Sequence, residues 1–362
     1  MLNFQLFTKI FASAKWAFRL LGFLIVLAIF GNILAAERGH TLLPPLIPYA
    51  YSTQDSKNAD FVSPLSQQDV SSLYYRHWVG TDLLGRDVLA GLIAGTRTAL
   101  SVGIGGMGIA LIIGLLLGLV AGYFGDNRFR LSKIGLILRG GMLLFLIFYT
   151  TIFFQQKLNF ILLILIFIGI YLIINVLDKY LNKILGDTFY LNKKISIPID
   201  MLIMRSVEVL QAVPTILWLL GLIAVTGRMS IFGLILFIGL TGWMSLARLV
   251  RGEVIRVRHL EYVESAQALG YSDFRIITKH ILPNILTPIL IAVSFGIANC
   301  VLLEAFLTFS GLGLPIEQVT WGSLLTASRD NPSAWWMVVF PGLAIFLTVT
   351  IFNRIGEALS GK

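Results

Sequence analysis

Charge is scarce in this chain. Only 13% of its 362 residues are Asp, Glu, Lys or Arg, against about 25% in soluble domains. Hydrophobic residues make up 57% and the mean hydropathy is +0.84. Apolar runs of eighteen or more residues, long enough to cross a bilayer, recur along it, so a soluble globular fold is excluded. Cysteine is nearly absent: the single thiol, Cys300, lies inside an apolar run, which rules out a disulfide framework and a thiolate metal site. The four histidines, His40, His77, His259 and His280, include no pair at metal-ligand spacing, so no metal is expected. No G-x-x-x-x-G-K-[ST] loop occurs, so the chain does not bind ATP by that route and no cofactor is expected in it. Gly103-Ile104-Gly105-Gly106-Met107-Gly108 fits G-x-G-x-x-G, but it sits inside a membrane run with no strand before it. Those glycines are read as allowing close helix approach, not dinucleotide binding. With no acid–base cluster and no activated nucleophile pair in the apolar runs, an enzyme is not expected.

What is present is an array of spans: Trp16–Ala36, Thr98–Phe124, Gly135–Phe154, Asn159–Val176, Met201–Thr226, Ile231–Leu249, Leu286–Phe309 and Ala334–Phe352. The net charge of +9 would suggest nucleic acid in a soluble protein. Here the basic residues cluster at the ends of spans, where they set topology, so nucleic-acid binding is set aside. Lys9, Lys15 and Arg19, then Arg128, Arg130 and Lys133, then Lys179, Lys183, Lys193 and Lys194, and finally six cations from Arg248 to Lys279 all fall on one side of the membrane. The segment 37–97 on the other side has six acidic and five basic residues. Both termini are therefore expected in the cytoplasm, with an uncleaved first span.

The chain divides into an N-terminal span (1–36), an extracytoplasmic segment (37–97), a second span with its inner loop (98–130), an insertion (131–196) and a core with a polar loop at 250–284 (197–362). The insertion reads as a hydrophobic hairpin facing lipid, although an interfacial segment also fits; Arg139 within it would have to snorkel. Prolines 214, 288 and 341 would each free a carbonyl and bend a helix. Glu304, inside a span, needs a partner or a water-lined path, because a charge there costs at least ~2.5 kcal/mol.

Two polar segments stand out. The first runs from Glu261 to Pro283. Tyr262, Ala266 and Leu269 share a helical face while Glu261, Glu264 and Gln267 stay polar. Gly270 then ends the turn, and Ser272-Asp273 offers an N-cap for a second short helix. An amphipathic linker on the bilayer surface and a protruding elbow both fit by composition. The second, His77-Trp78-Val79-Gly80-Thr81-Asp82-Leu83-Leu84-Gly85-Arg86-Asp87, is a glycine-rich turn dense in charge just before a span. Asp–Arg hydrogen bonds can order such a turn; a structural role and a direct substrate role are both open.

Both segments resemble one family. Glu264-Ser265-Ala266 followed by Leu269-Gly270, then nine residues and His280-Ile281-Leu282-Pro283, is similar to the EAA loop of ABC importer permeases. Ser265 replaces the middle alanine, and His280 stands where many permeases have isoleucine. Lys279-His280-Ile281-Leu282-Pro283-Asn284 is the wording of the peptide and nickel branch. The 77–87 turn resembles the signature of the second, C-type permease of dipeptide and oligopeptide importers. Ala90-Gly91 departs from it where Ser-Arg is common. Phe309 to Pro315, Trp321-Gly322 and Phe340 to Ala344 resemble the same family's last spans. The likeness covers about 16–36, 74–125 and 197–358, and leaves 131–196 outside.

The resemblance implies an all-α, MetI-like type I permease bundle of six core spans plus two inserted, in the bacterial plasma membrane. Implied partners are ABC ATPase subunits, which bind the ATP, a related B-type permease forming a heterodimer, an extracytoplasmic substrate-binding protein and membrane lipid. It places ATPase coupling on Glu264, Ala266, Leu269, Gly270 and Ser272, and the external signature on Gly80, Thr81, Asp82, Gly85, Arg86 and Asp87. Short peptides are the expected cargo. Nickel chelates, peptide antibiotics, or a scaffold subunit without its own transport path are the alternatives.

Overall fold

The computed structural model describes residues 14–35, 45–133, 135–142, 145, 148, 169–178, 180, 184, 194–227, 229–315 and 317–361. It divides into two units, Met1–Tyr123 with Val207–Lys362 and Phe124–Ser206. The main helices are α1 (Lys15–Leu34), α2 (Val88–Phe124), α3 (Ile199–Gln211), α4 (Thr215–Thr226), α5 (Ile231–Arg258), α6 (Glu261–Ala268), α7 (Leu282–Phe309), α8 (Trp321–Ala327) and α9 (Trp336–Leu359). Five helical stretches, α1, α2, α5, Asp273–Phe309 and α9, have the length and hydropathy of membrane spans, and the pair α3 and α4 makes a sixth if counted together. Five of the six expected core spans are thus single helices among the described residues, and the sixth, Met201–Thr226, is present only as a bent pair. Most of Gly135–Phe154 and Asn159–Val176 lies outside those residues, apart from a helix at Gly169–Asp178.

One expectation is corrected. Met201–Thr226 is not continuous: it breaks before Pro214, and its halves are bent by 76°. Proline has no N–H to donate and bars the α region to the residue before it, Val213, and the first half stops at Gln211. Pro288 and Pro341, by contrast, lie inside helices that run on through them. The helix α2 begins ten residues earlier than its apolar run suggested. At 1.5 Å per residue its 37 residues span about 55 Å, well beyond a hydrocarbon core of about 30 Å.

In the larger unit the helices meet through small residues. Lipid tails are as apolar as leucine, so spans gain by van der Waals fit more than by hiding apolar surface. Gly114, Gly118 and Gly122 form a stripe at four-residue spacing against α5. A Cβ at Gly118 would lie 2.6 Å from Val250 Cβ, and one at Gly122 would lie 2.8 Å from Val254 Cβ. The earlier glycines do as expected except one. Gly103 meets Val301 and Ile297, and Gly106 meets Ile238, whereas Gly108 has open space around it. Towards the other end of the bundle, Phe61, Trp321, Trp336 and Met337 are buried in one cluster with Val88, Ala99 and Val301. The N-terminal helix packs Ala14 and Ala17 on Ile351 and Ile355 of α9.

The smaller unit carries the one pair of strands among the described residues. β1 (Arg130–Ser132) pairs antiparallel with β2 (Lys194–Ser196), with Leu131 opposite Ile195. Arg139 does not need to snorkel. It donates to Asn175 Oδ1 at 3.0 Å and lies 3.5 Å from Asp178, whose other oxygen accepts from Ser132 Oγ at 2.9 Å. This unit is therefore less bland than its composition.

The glycine seam yields a prediction. Gly118→Leu should destabilise the protein by about 1–3 kcal/mol through overpacking, seen as a lowered Tm in detergent, while Gly108→Ala should leave Tm unchanged. Equal behaviour of the two variants would contradict the close α2–α5 seam.

Candidate functional site

The elbow between α5 and α7 is built by local rules. The C-terminal end of α6 is a Schellman motif: Tyr271 N–H donates to Ala266 O at 3.1 Å and Gly270 N–H to Gln267 O at 2.9 Å. That closure needs a left-handed residue, and Gly270 supplies it at φ 75°. A single turn, Asp273–Ile276, follows, then a wide π turn, Ile277–Ile281, leads into α7. Ser272 is in the N-cap position, but its hydroxyl makes no capping bond, contrary to expectation. The Asp273 carboxylate instead accepts from Tyr123 Oη at 2.8 Å.

The faces of α6 also differ from the expected set. Val263 and Ala266 are buried, whereas Tyr262 and Leu269 are exposed, Leu269 by 73%. At about 100° per residue the buried stripe centres between Val263 and Ala266, which leaves Tyr262 and Leu269 at its edges. Val263 carried that signal and the pattern passed over it. Ala266 is thus an anchor of the elbow and not part of its outer surface. The outer surface holds Leu269, Tyr271, Phe274 (78% exposed) and Tyr262. Glu264 is exposed, with its carboxylate 3.9 Å from the equally exposed His259 ring. The imidazole of His280, raised on the π turn, lies 6.3 Å from the Tyr262 ring and 6.2 Å from that of Tyr271. Arg258 fixes the elbow's base by donating to Gly122 O and Tyr123 O, the free carbonyls at the end of α2.

At the other end of α2 the 77–87 turn consumes nearly all of its own polar groups. The Asp87 carboxylate caps α2, accepting from Ala90 N–H at 2.7 Å, and also accepts from His77 Nδ1 at 2.8 Å. Asp82 accepts from Leu84 N–H and Arg86 N–H, and pairs with Arg86 Nε at 2.6 Å. Thr81 donates to Asn58 O, accepts from Val62 N–H, and its carbonyl receives Trp336 Nε1 at 3.1 Å. Gly80 and Gly85 take φ of 85° and 73°, and a Cβ on Gly85 would collide with the Asp55 backbone. This geometry favours the structural reading of the turn. The turn's exposed side chains are Trp78 and, along the Asp82–Arg86 edge, Leu83 and Leu84.

His77 is fully buried, stacked 4.2 Å from the Tyr49 ring and facing two carboxylates, with Asp55 at 3.4 Å from Nε2. Burial lowers its pKa, but hydrogen bonds to Asp87 and Asp55 and their charges outweigh burial and hold it above the usual 6.5. Burial raises Asp55, yet bonds from Asn58, His77 and the Lys57 N–H leave it below its usual 3.8. Glu304, inside α7, is also fully buried; it accepts from Thr308 Oγ1 at 2.9 Å, a pairing within its own helix end.

Residues 189–362 match the family described as the binding-protein-dependent transport system inner membrane component. The dipeptide transport system permease of Alkalihalophilus pseudofirmus is 31% identical over 284 residues, 78% of this chain and 70% of that one. The chain belongs to this permease family. The oligopeptide transport system permease of Bacillus subtilis is 28% identical over 319 residues, 87% of this chain and 77% of its own length. A Brucella suis protein named as a peptide transport system permease is 39% identical over 161 residues, 44% of this chain. Against that relative the chain spans about half the length, 54%. The permease is a multi-pass protein of the bacterial inner membrane, and its family is a transport component, not an enzyme.

The His77 bridge predicts a pH dependence. A raised His77 pKa gives stability that is complete below the ordinary imidazole value and is lost as pH rises through the folded value. A lowered Asp55 pKa gives stability lost as pH falls through its own folded value. The Tm of the wild type should therefore exceed that of His77→Gln most between those limits, and the gap should narrow as pH rises through the raised His77 value. A gap independent of pH would show that His77 acts through packing alone.

Proposed function

We propose that this permease is one half of a transmembrane heterodimer in an ATP-driven importer of short peptides. A related B-type permease forms the other half, two ATPase subunits dock on its cytoplasmic side, and an extracytoplasmic binding protein delivers cargo. Both termini and the elbow lie inside, as the distribution of lysine and arginine favours.

The observation that carries this reading is the elbow's outer surface. Leu269 and Phe274 stand in solvent on either side of a Gly270 turn whose inner face is locked by Val263, Ala266 and Ile276. An exposed apolar patch on a rigid protrusion suits a docking surface, and the sequence of this one resembles the family's coupling loop. Closure of the ATPase pair would pull on it as a rigid body and switch the bundle between outward- and inward-open states. Glu264 and Ser272 contribute polar contact at the rim, while Gly270 sets the angle and Ala266 holds the base. The relatives are named for dipeptide and oligopeptide transport, which supports a peptide cargo here.

Leu269→Asp and Phe274→Asp change only exposed side chains, so both variants should insert at normal abundance. Each should lose most peptide uptake and fail to co-purify an ATPase. Gly270→Val, which forces a β-branched residue into positive φ, should uncouple uptake in the same way. Normal uptake by all three variants would remove the elbow from the coupling path.

A further inference from the structure

A cavity of about 650 Å³ opens between the Asp82–Arg86 edge, the α4–α5 connection, the loop after α7 and the connection from α8 to α9. Its size lies within the range of about 300–1,000 Å³ typical of small-molecule sites. Leu83, Leu84, Ile223, Met229, Leu312 and Leu314 give it mainly apolar walls. Four charged side chains line it. Two of them cancel, since Asp82 and Arg86 are paired at 2.6 Å.

The other two, Arg329 and Asp330, are exposed, and among the described residues neither side chain forms an ion pair or hydrogen bond. The Arg329 guanidinium rests 4.0 Å from the centroid of the Phe309 ring. That contact holds the cation against the wall through its face and leaves its in-plane N–H donors open. One cation and one anion, each without a partner, thus share an apolar chamber. The ligand that satisfies both carries a carboxylate and an ammonium on an apolar body. An anionic chelate would meet Arg329 but be repelled by Asp330. A free amino acid has the charges but fills little of the volume.

We propose that this cavity is an entry vestibule for short peptides with both termini free. Arg329 takes the terminal carboxylate as a forked pair, Asp330 takes the terminal ammonium, and the leucine-rich walls accept side chains of any apolar kind. This rests on the peptide-importer reading and adds to it a recognition of the termini by the permease itself.

The test uses right-side-out membrane vesicles holding the full chain with its native partners. A photoreactive tripeptide, alanyl-benzoylphenylalanyl-alanine, is crosslinked and its attachment mapped by mass spectrometry. Uptake of trialanine is measured beside its N-acetylated and C-amidated forms. Attachment is expected at 83–84, 308–315 or 323–330, competed by trialanine but not by the blocked forms or by alanine. Arg329→Gln should reduce the preference for free over amidated peptide by about tenfold, and Asp330→Asn the preference for free over acetylated peptide similarly, as loss of one charge-assisted contact implies. Attachment elsewhere in the chain with uptake intact overturns the vestibule and leaves the importer reading standing. So does a loss of uptake in both variants that is equal for free and blocked peptides, or no loss at all. Absence of attachment overturns the vestibule whatever uptake does. Attachment at the expected residues with no uptake by the wild type keeps the vestibule and rejects the importer reading.

Discussion

Gly118 approaches Val250 so closely that no side chain fits between them, and much of the rest of the larger unit depends on that contact. In hydrocarbon the backbone satisfies itself within each helix, and association must come from fit. The stripe of Gly114, Gly118 and Gly122 lets α5 lie against α2 over about two turns. It also aligns the C-terminal ends of the two helices. Arg258 can then reach the last carbonyls of α2, and Tyr123 can reach Asp273 across the elbow. A bulkier residue in the stripe would displace both anchors together.

The same helix carries the other polar assembly at its far end. Asp87 caps α2 there, and its second oxygen holds His77, which in turn faces Asp55 in the segment before the turn. One rod about 55 Å long therefore joins the charged turn to the base of the elbow. Neither assembly is closed on its own: each uses groups that a helix terminus leaves unsatisfied. The Trp336 ring adds a second tie by donating to Thr81 from α9. A displacement at the elbow that moved α2 along its axis would be felt by His77, and the reverse holds too.

The spans, the elbow and the turn were legible in the sequence because each rests on a short-range rule. Long apolar runs, a glycine where φ must be positive, and an Asp before a helix all act within a few residues. Other features were legible only in part or not at all. Pro214 announced a bend, but apolar runs continue on both sides and hydropathy does not sense a missing N–H, so the full break was not read. The burial of Val263 was missed because eight residues give too little length to locate the centre of a helical face. The stripe at Gly114, Gly118 and Gly122 was passed over for the denser glycines at 103–108, of which Gly108 touches nothing. Spacing alone does not tell which side of a helix meets a neighbour. The free charges of Arg329 and Asp330 were equally silent, since what sets them apart is the chamber they share.

The paired strands tie together two points far apart in the sequence. Ser132 and Lys194 are partners in one antiparallel ladder. A segment whose ends are hydrogen-bonded to each other starts and finishes at one place, and the entropy of closing such a loop grows only slowly with its length. Within the smaller unit, Arg139 is held by Asn175 and approaches Asp178. Polar pairing of that kind is costly to bury and is retained in membrane segments where it fixes how helices meet. The smaller unit is therefore organised by contacts of its own.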